Sequence, residues 1–315
     1  MPSPSSRSTR RPAVAGLFYP AEDASCAAVA RGLLRPQDEA SRARAWRGAI
    51  VPHAGWVCSG AIAGESIATL AASRETARMK PPDVVVVFGA VHTPLPLSFA
   101  ALDSNQRWEV PGGSSAVARE VEEKLSTDAA DLFAVDDRFH RQEHAVEVEL
   151  PLIQQAWPAA RLMPIEVPLN EHAVDIGTRP AQAIATAGLD AVYLASSDLT
   201  HYGPSYGFVP AGVGLAGLEW AKQNDLRLLE VVADLRPERV VAHVRAHASA
   251  CGGGAIAAML AACRQAGSAS EARVLRHANS FETLAALEAG APDDQLSAPR
   301  QRPDNAVGYA AVVVG

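Results

Sequence analysis

His53, His92, His201 and Cys251 are the side chains best suited to hold an ion or move a proton, and each sits where a loop opens. His53 follows the apolar run Gly48-Ala49-Ile50-Val51 and then Pro52, which cannot donate to a ladder and so should end a strand. His92 follows Asp83-Val84-Val85-Val86-Val87-Phe88-Gly89, and His201 follows Asp190-Ala191-Val192-Tyr193-Leu194-Ala195-Ser196. In an open parallel sheet, ligands bind outside the carboxyl ends of the strands. Loops from strands about 4.8 Å apart can bring their imidazoles to one ion at about 2 Å.

Cys251 is the candidate third ligand. It precedes Gly252-Gly253-Gly254, which opens a helix, and a helix N-terminus favours a thiolate. The same glycines equally suit a tight turn with Cys251 as a small buried hydrophobe. Asp198, three residues before His201, could orient a histidine, act on substrate, or cap a turn. His144 beside Glu143 could face inward behind the ligands or begin a solvated helix. His140, His172, His243, His247 and His277 read as structural or surface residues. His243 and His247 stand at i, i+4 without the glutamate of a zincin pattern.

The elements that must position these groups follow from the pattern. The near-continuous β-branched run at 83–89 predicts a strand buried on both faces, hence a parallel sheet covered by helices, and the apolar run at 190–196 predicts another buried strand. Strands are also predicted over 48–51, 98–102, 162–167, 273–277 and 307–314. Helices are predicted over 21–34, 61–72, 116–125, 139–155, 175–187, 212–232 and 237–247, and from Cys251 through Cys263, although the alternation Val146, Val148, Leu150 within 139–155 equally allows a strand. A turn is read at 108–113, a Pro-rich loop at 293–305 and a disordered tail at 1–10. The resulting class is α/β, one domain over 11–315 with a central mixed, largely parallel sheet flanked by helices.

The balance of the 315 residues excludes several functions. An apolar fraction of 48%, a charged fraction of 20% and a net charge of −7 describe an ordinary globular chain with no electrostatic footprint for nucleic acid. No eighteen-residue apolar run and no apolar leader segment are present, so no membrane association and a cytoplasmic location are expected. The four cysteines are scattered and read as thiols, not as a disulfide framework.

Six short pieces in order resemble the Memo family, the protein B component of the AmmeMemoRadiSam system. They are 11–20 (Arg-Pro-Ala-Val-Ala-Gly-Leu-Phe-Tyr-Pro), 51–56 around His53, 89–92 ending in His92, Glu143-His144, 196–203 around Asp198 and His201, and Cys251-Gly252. The family is similar in fold to class III extradiol dioxygenases of the LigB type, which hold Fe(II) with two histidines and a carboxylate. In those enzymes a further histidine serves as acid/base. The resemblance implies that His53 and His92 are metal ligands, that Cys251 takes the carboxylate's place, and that His201 lines the pocket with Asp198, the two being the catalytic candidates. Thiolate is softer than carboxylate and suits Cu(I), Zn or a different iron chemistry.

The expectation is therefore a redox enzyme using non-heme iron by preference, or copper, on an unknown small-molecule or peptide ligand. The alternatives are a zinc-type hydrolase, a non-catalytic binding module, and a metal-free Cys251–His201 nucleophile and base pair. The family name further implies a working link to radical SAM and AMMECR-type proteins.

Overall fold

The computed structural model describes residues 8–36, 44–267, 269–290 and 302–315. In chain order the first half gives β1 (Thr9–Arg10), α1 (Asp23–Leu33), β2 (Gly48–Val51), α2 (Trp56–Thr76), β3 (Val84–Ala90), β4 (Ala100–Leu102), β5 (Arg107–Val110), β6 (Gly113–Ala116), α3 (Arg119–Asp128) and β7 (Phe133–Val135). Then come α4 (Leu150–Ala156), β8 (Arg161–Val167), α5 (Ala173–Thr186), β9 (Ala191–Ser196) and β10 (His201–Tyr202). The chain closes with α6 (Leu215–Ala233), α7 (Pro237–His247), α8 (Gly253–Gln265), β11 (Ala272–Asn279), α9 (Ser280–Gly290) and β12 (Ala306–Val314).

The main sheet runs β10-β12-β2-β9-β3-β8-β4-β7, with β11 also paired to β12. Its centre, β2, β9, β3 and β8, is parallel throughout. β12 and β4 flank that centre in antiparallel sense, so the sheet is mixed and largely parallel at its core, as the uninterrupted apolar runs predict. Alternation along the strands separates two cores. Val84, Val86 and Phe88 face one, together with α5, α7 and α8 residues. Val85 and Val87 face the other, with Trp56, Ile67 and Leu152 of α2 and α4. α8 is apolar on every side and nearly all of it is buried beneath the sheet. Gly177 lets α5 approach it: a Cβ there would stand 1.9 Å from the Ala258 carbonyl oxygen.

Four local expectations are corrected. The helix expected from 61 begins at Trp56, because Gly55 starts it and Gly60 lies inside it, against Leu33 of α1. The turn expected at 108–113 is the hairpin of β5 and β6, turning at Gly112 with φ +81. The helix expected over 139–155 reduces to short 3-10 turns before α4, because the backbone N–H groups of His144 and Ala145 donate to the Glu143 carboxylate at 2.9 and 3.3 Å. Of the tail expected over 1–10, residues 1–7 lie outside the described residues, whereas Thr9–Arg10 pairs in parallel with β5. Arg10, 4% exposed, is anchored because its guanidinium meets Glu147 at 2.5 Å. Residues 291–301 of the loop expected over 293–305 are likewise outside the described residues. All four cysteines are free thiols.

Candidate metal centre

Three adjacent strands, β2, β9 and β3, deliver the loops that carry His53, Asp198 and His92. β2 stops at Val51, and His53 is held by its backbone N–H donating to Asp198 Oδ1 at 2.9 Å. Cys251 lies 198 residues after His53 in the chain, one residue before the glycine that caps α8. Its approach depends on Gly252, where a Cβ would stand 2.6 Å from Ser197 Cβ and 2.8 Å from the Ser196 carbonyl oxygen. The N–H of Gly252 donates to Ser197 Oγ at 3.0 Å, and that of Cys251 to the Asp198 carbonyl at 3.3 Å.

Ligand atoms of His53, His92 and Cys251 all lie within 4.8 Å of one another. His53 Nε2 is 3.3 Å from Cys251 Sγ. The ring tautomers follow from what surrounds them. Ser196 Oγ donates its proton to the Ala145 carbonyl at 2.6 Å, so at 2.8 Å from His53 Nδ1 it can only accept. His53 therefore carries its proton on Nδ1 and turns the Nε2 lone pair to the centre. Burial, then the neighbouring imidazoles of His144 and His92, push its pKa well below the ordinary histidine value. It is neutral at pH 7, the form a metal needs.

Glu143 does the same for His92. Its Oε1 is 2.9 Å from His92 Nδ1 and 3.2 Å from His144 Nδ1, and its Oε2 accepts the backbone N–H of His92 at 2.6 Å and of Thr93 at 3.2 Å. Burial acts to raise this carboxyl, but the hydrogen bonds from His144 and His92 outweigh it and hold the group well below the carboxylate range. One carboxylate thus orients two rings and leaves both Nε2 atoms free, the arrangement that ligating histidines use. His144 belongs to the cluster: its ring centroid is 4.5 Å from that of His92 and 5.2 Å from that of His53, and Phe18 packs on it at 4.8 Å. His92, Glu143 and His144 form a second group with ligand atoms within 4.8 Å, though Glu143 is already engaged by these donors.

His201 stands beside the convergent set and is not a member of it. Its Nδ1 is 3.2 Å from the Leu199 carbonyl, which only accepts, so Nε2 is the open nitrogen. Tyr206 lies edge-on to the ring at 5.1 Å, and burial, followed by the neighbouring imidazole of His92, lowers the His201 pKa. Asp198 accepts from the backbone at His53 and is pushed up to about 7, by burial first, against the hydrogen bonds from His53 and Ala54. Burial and then Asp198 also raise the Cys251 thiol, the reverse of what the helix N-terminus alone would do. The imidazole beside Cys251 is that of His53. Two imidazoles and a sulfur, oriented by groups behind them, fit a transition metal ion or zinc.

Sequence reasoning did not single out Ser196, Ala145 or Phe18, whose contacts arise only in the folded chain. It also passed over Glu166, fully buried beneath Gly89 with neither oxygen hydrogen-bonded and 3.7 Å from His140 Nδ1. Among the described residues, no helix is long and apolar enough to cross a membrane.

The model of the Memo-like protein family matches residues 10–289. A MEMO1 family protein of Methanosarcina barkeri is 31% identical over 311 residues, covering 97% of this chain and 99% of the relative. One from Aeropyrum pernix is 35% identical over 285 residues, 86% of this chain and 92% of the relative. A third, from Pyrococcus furiosus, is 29% identical over 313 residues, 97% and 98% of the two chains.

Proposed function

This chain belongs to the Memo family, and we propose that within it the chain is a metal-dependent redox protein whose ion is held by His53, His92 and Cys251. One observation carries the reading: these three ligand atoms converge within 4.8 Å, with the His53 and His92 rings fixed by Ser196 and Glu143. Iron is the preferred ion, with copper and zinc as alternatives. Iron or copper held there supplies one-electron chemistry, whereas zinc supplies Lewis acidity alone.

The chain's own groups divide the remaining work. Asp198 fixes the backbone at His53, and Glu143 sets His92 and His144 with their Nε2 atoms free. His201, with Nδ1 committed to Leu199, holds or moves a proton at Nε2. The substrate is a small molecule or peptide segment. A second reading, binding without turnover, is favoured by an apolar cleft of about 390 Å³ along 16–20, Val29, Trp56 and Val57. Phe18 joins that cleft to His144. The likeness to the AmmeMemoRadiSam system supports a cytoplasmic role alongside radical SAM and AMMECR-type proteins.

The test is elemental analysis of protein purified anaerobically, beside the Cys251→Ser variant. Near-stoichiometric metal in the parent and a strong loss in the variant is expected. Equal metal in both, or none in either, overturns the reading.

A further inference from the structure

A second cavity, of about 410 Å³, is lined by residues from β1 and the segment after it, by Asn105 and by the 137–142 turn. Its volume is in the range of small-molecule sites, about 300–1,000 Å³. Its charge is unlike that of the chain as a whole, which carries −7. Three arginines line it. Arg10 is neutralised by Glu147 and spends its remaining donors on the carbonyls of His140, Arg11 and Glu143. Arg11 and Arg141 are different: among the described residues neither guanidinium has a hydrogen bond, an ion pair or a ring contact, yet both line the cavity.

The single carboxylate in the wall does not answer them. Asp137 accepts the Ser104 backbone N–H at 2.8 Å and its hydroxyl at 2.7 Å, and so faces Ser104. Counting Arg11 and Arg141 against Asp137 leaves one net positive charge. The walls are also held in place. Ala13 and Val14 donate their N–H groups to Glu147 at 2.7 and 2.9 Å, and the Arg141 N–H donates to the Asp137 carbonyl at 2.9 Å.

We propose that this cavity binds a small oxyanion, carboxylate or phosphoryl, between Arg11 and Arg141. Guanidinium is the group suited to both, because its planar fork meets two oxygens at once. Gln142, exposed on the same wall, offers an amide donor to the ligand. The site is separate from the metal centre, although it borders the segment that carries Glu143 and His144.

The test uses the full chain, freed of metal by chelation, titrated at constant ionic strength with inorganic phosphate and, separately, with succinate, followed by amide NMR. Saturable shifts at 9–13 and 137–142 with at least one of the two probes are expected. The Arg11→Gln/Arg141→Gln variant should weaken that binding at least tenfold, with an unchanged Tm showing that the fold is intact. His53→Ala should leave it unaltered, which keeps this outcome separate from that of the metal site. Absence of saturable binding by either probe overturns the proposal. So does undiminished binding in the double variant, or loss in His53→Ala.

Discussion

Ser196→Ala removes one oxygen atom from behind the proposed metal site and tests whether the His53 ring is positioned in the way its contacts imply. In the parent, Ser196 Oγ accepts the His53 Nδ1 proton at 2.8 Å and hands its own to the Ala145 carbonyl at 2.6 Å. Alanine leaves a buried imidazole N–H and a buried carbonyl without those partners, since His53 is only 1% exposed. The variant should lose about 1–3 kcal/mol of stability for each orphaned group that water cannot reach. The sharper effect is on the ion. Without its acceptor the ring can rotate or adopt the other tautomer, and losing such a partner typically costs 10–100-fold in affinity. That range corresponds to about 1.4–2.7 kcal/mol. Anaerobic titration with Fe(II), and with Zn(II) as a redox-silent comparison, should show this weakening with the stoichiometry unchanged. Ser196→Thr keeps the hydroxyl and should recover most of the affinity if the added methyl is accommodated. Parent-like affinity in Ser196→Ala would refute the claim that this hydrogen bond sets the ligand.

Three further outcomes follow from other contacts. Glu143→Gln removes the charged acceptor shared by His92 and His144 and should weaken metal binding at least as much as Ser196→Ala; isothermal titration measures it, and parent-like affinity would contradict the role given to the carboxylate. Burial, followed by Glu143, raises the Glu166 pKa well above its ordinary value, so the folded state keeps a proton that the unfolded chain releases. Folding then takes up a proton, and as pH rises above the ordinary glutamate range this group subtracts about 1.4 kcal/mol of stability per pH unit until it ionises in the fold. Glu166→Gln stays neutral and should flatten that decline in urea melts from pH 5 to 8; parallel profiles would refute it. Gly177→Ala places a methyl 1.9 Å from the Ala258 carbonyl oxygen and should destabilise by about 1–3 kcal/mol, read as a lower urea midpoint; an unchanged midpoint would mean that α5 and α8 part without cost.

The sequence made the scaffold legible where one physical signal dominated. Val84–Ala90 and Ala191–Ser196 are apolar on both faces because both are covered, and that pattern alone implies a parallel centre. The loops at His53, His92 and Asp198 follow from where those runs stop. Legibility failed where side chains compete with the backbone. Glu143 draws the N–H groups of His144 and Ala145 to its own carboxylate, so a stretch with helical composition does not form a continuous helix. Asp198, read as a partner for a histidine ring, for substrate or for a turn, accepts from the backbone at His53, and nothing local marks that pairing, 145 residues apart in the chain. Ser196 is one serine in a run of two, and nothing local marks which hydroxyl faces an imidazole. The burial of Glu166 is equally invisible, since its strand also carries ordinary core residues.

The most direct measurement is a crystal structure of protein loaded anaerobically with Fe(II), with anomalous diffraction at the iron edge. One strong peak bonded to His53 Nε2, His92 Nε2 and Cys251 Sγ at about 2.0–2.3 Å is expected, with Glu143 and Ser196 still on the far side of the rings. A peak held by His92, His144 and Glu143 without Cys251, or no ordered peak at full loading, would contradict it.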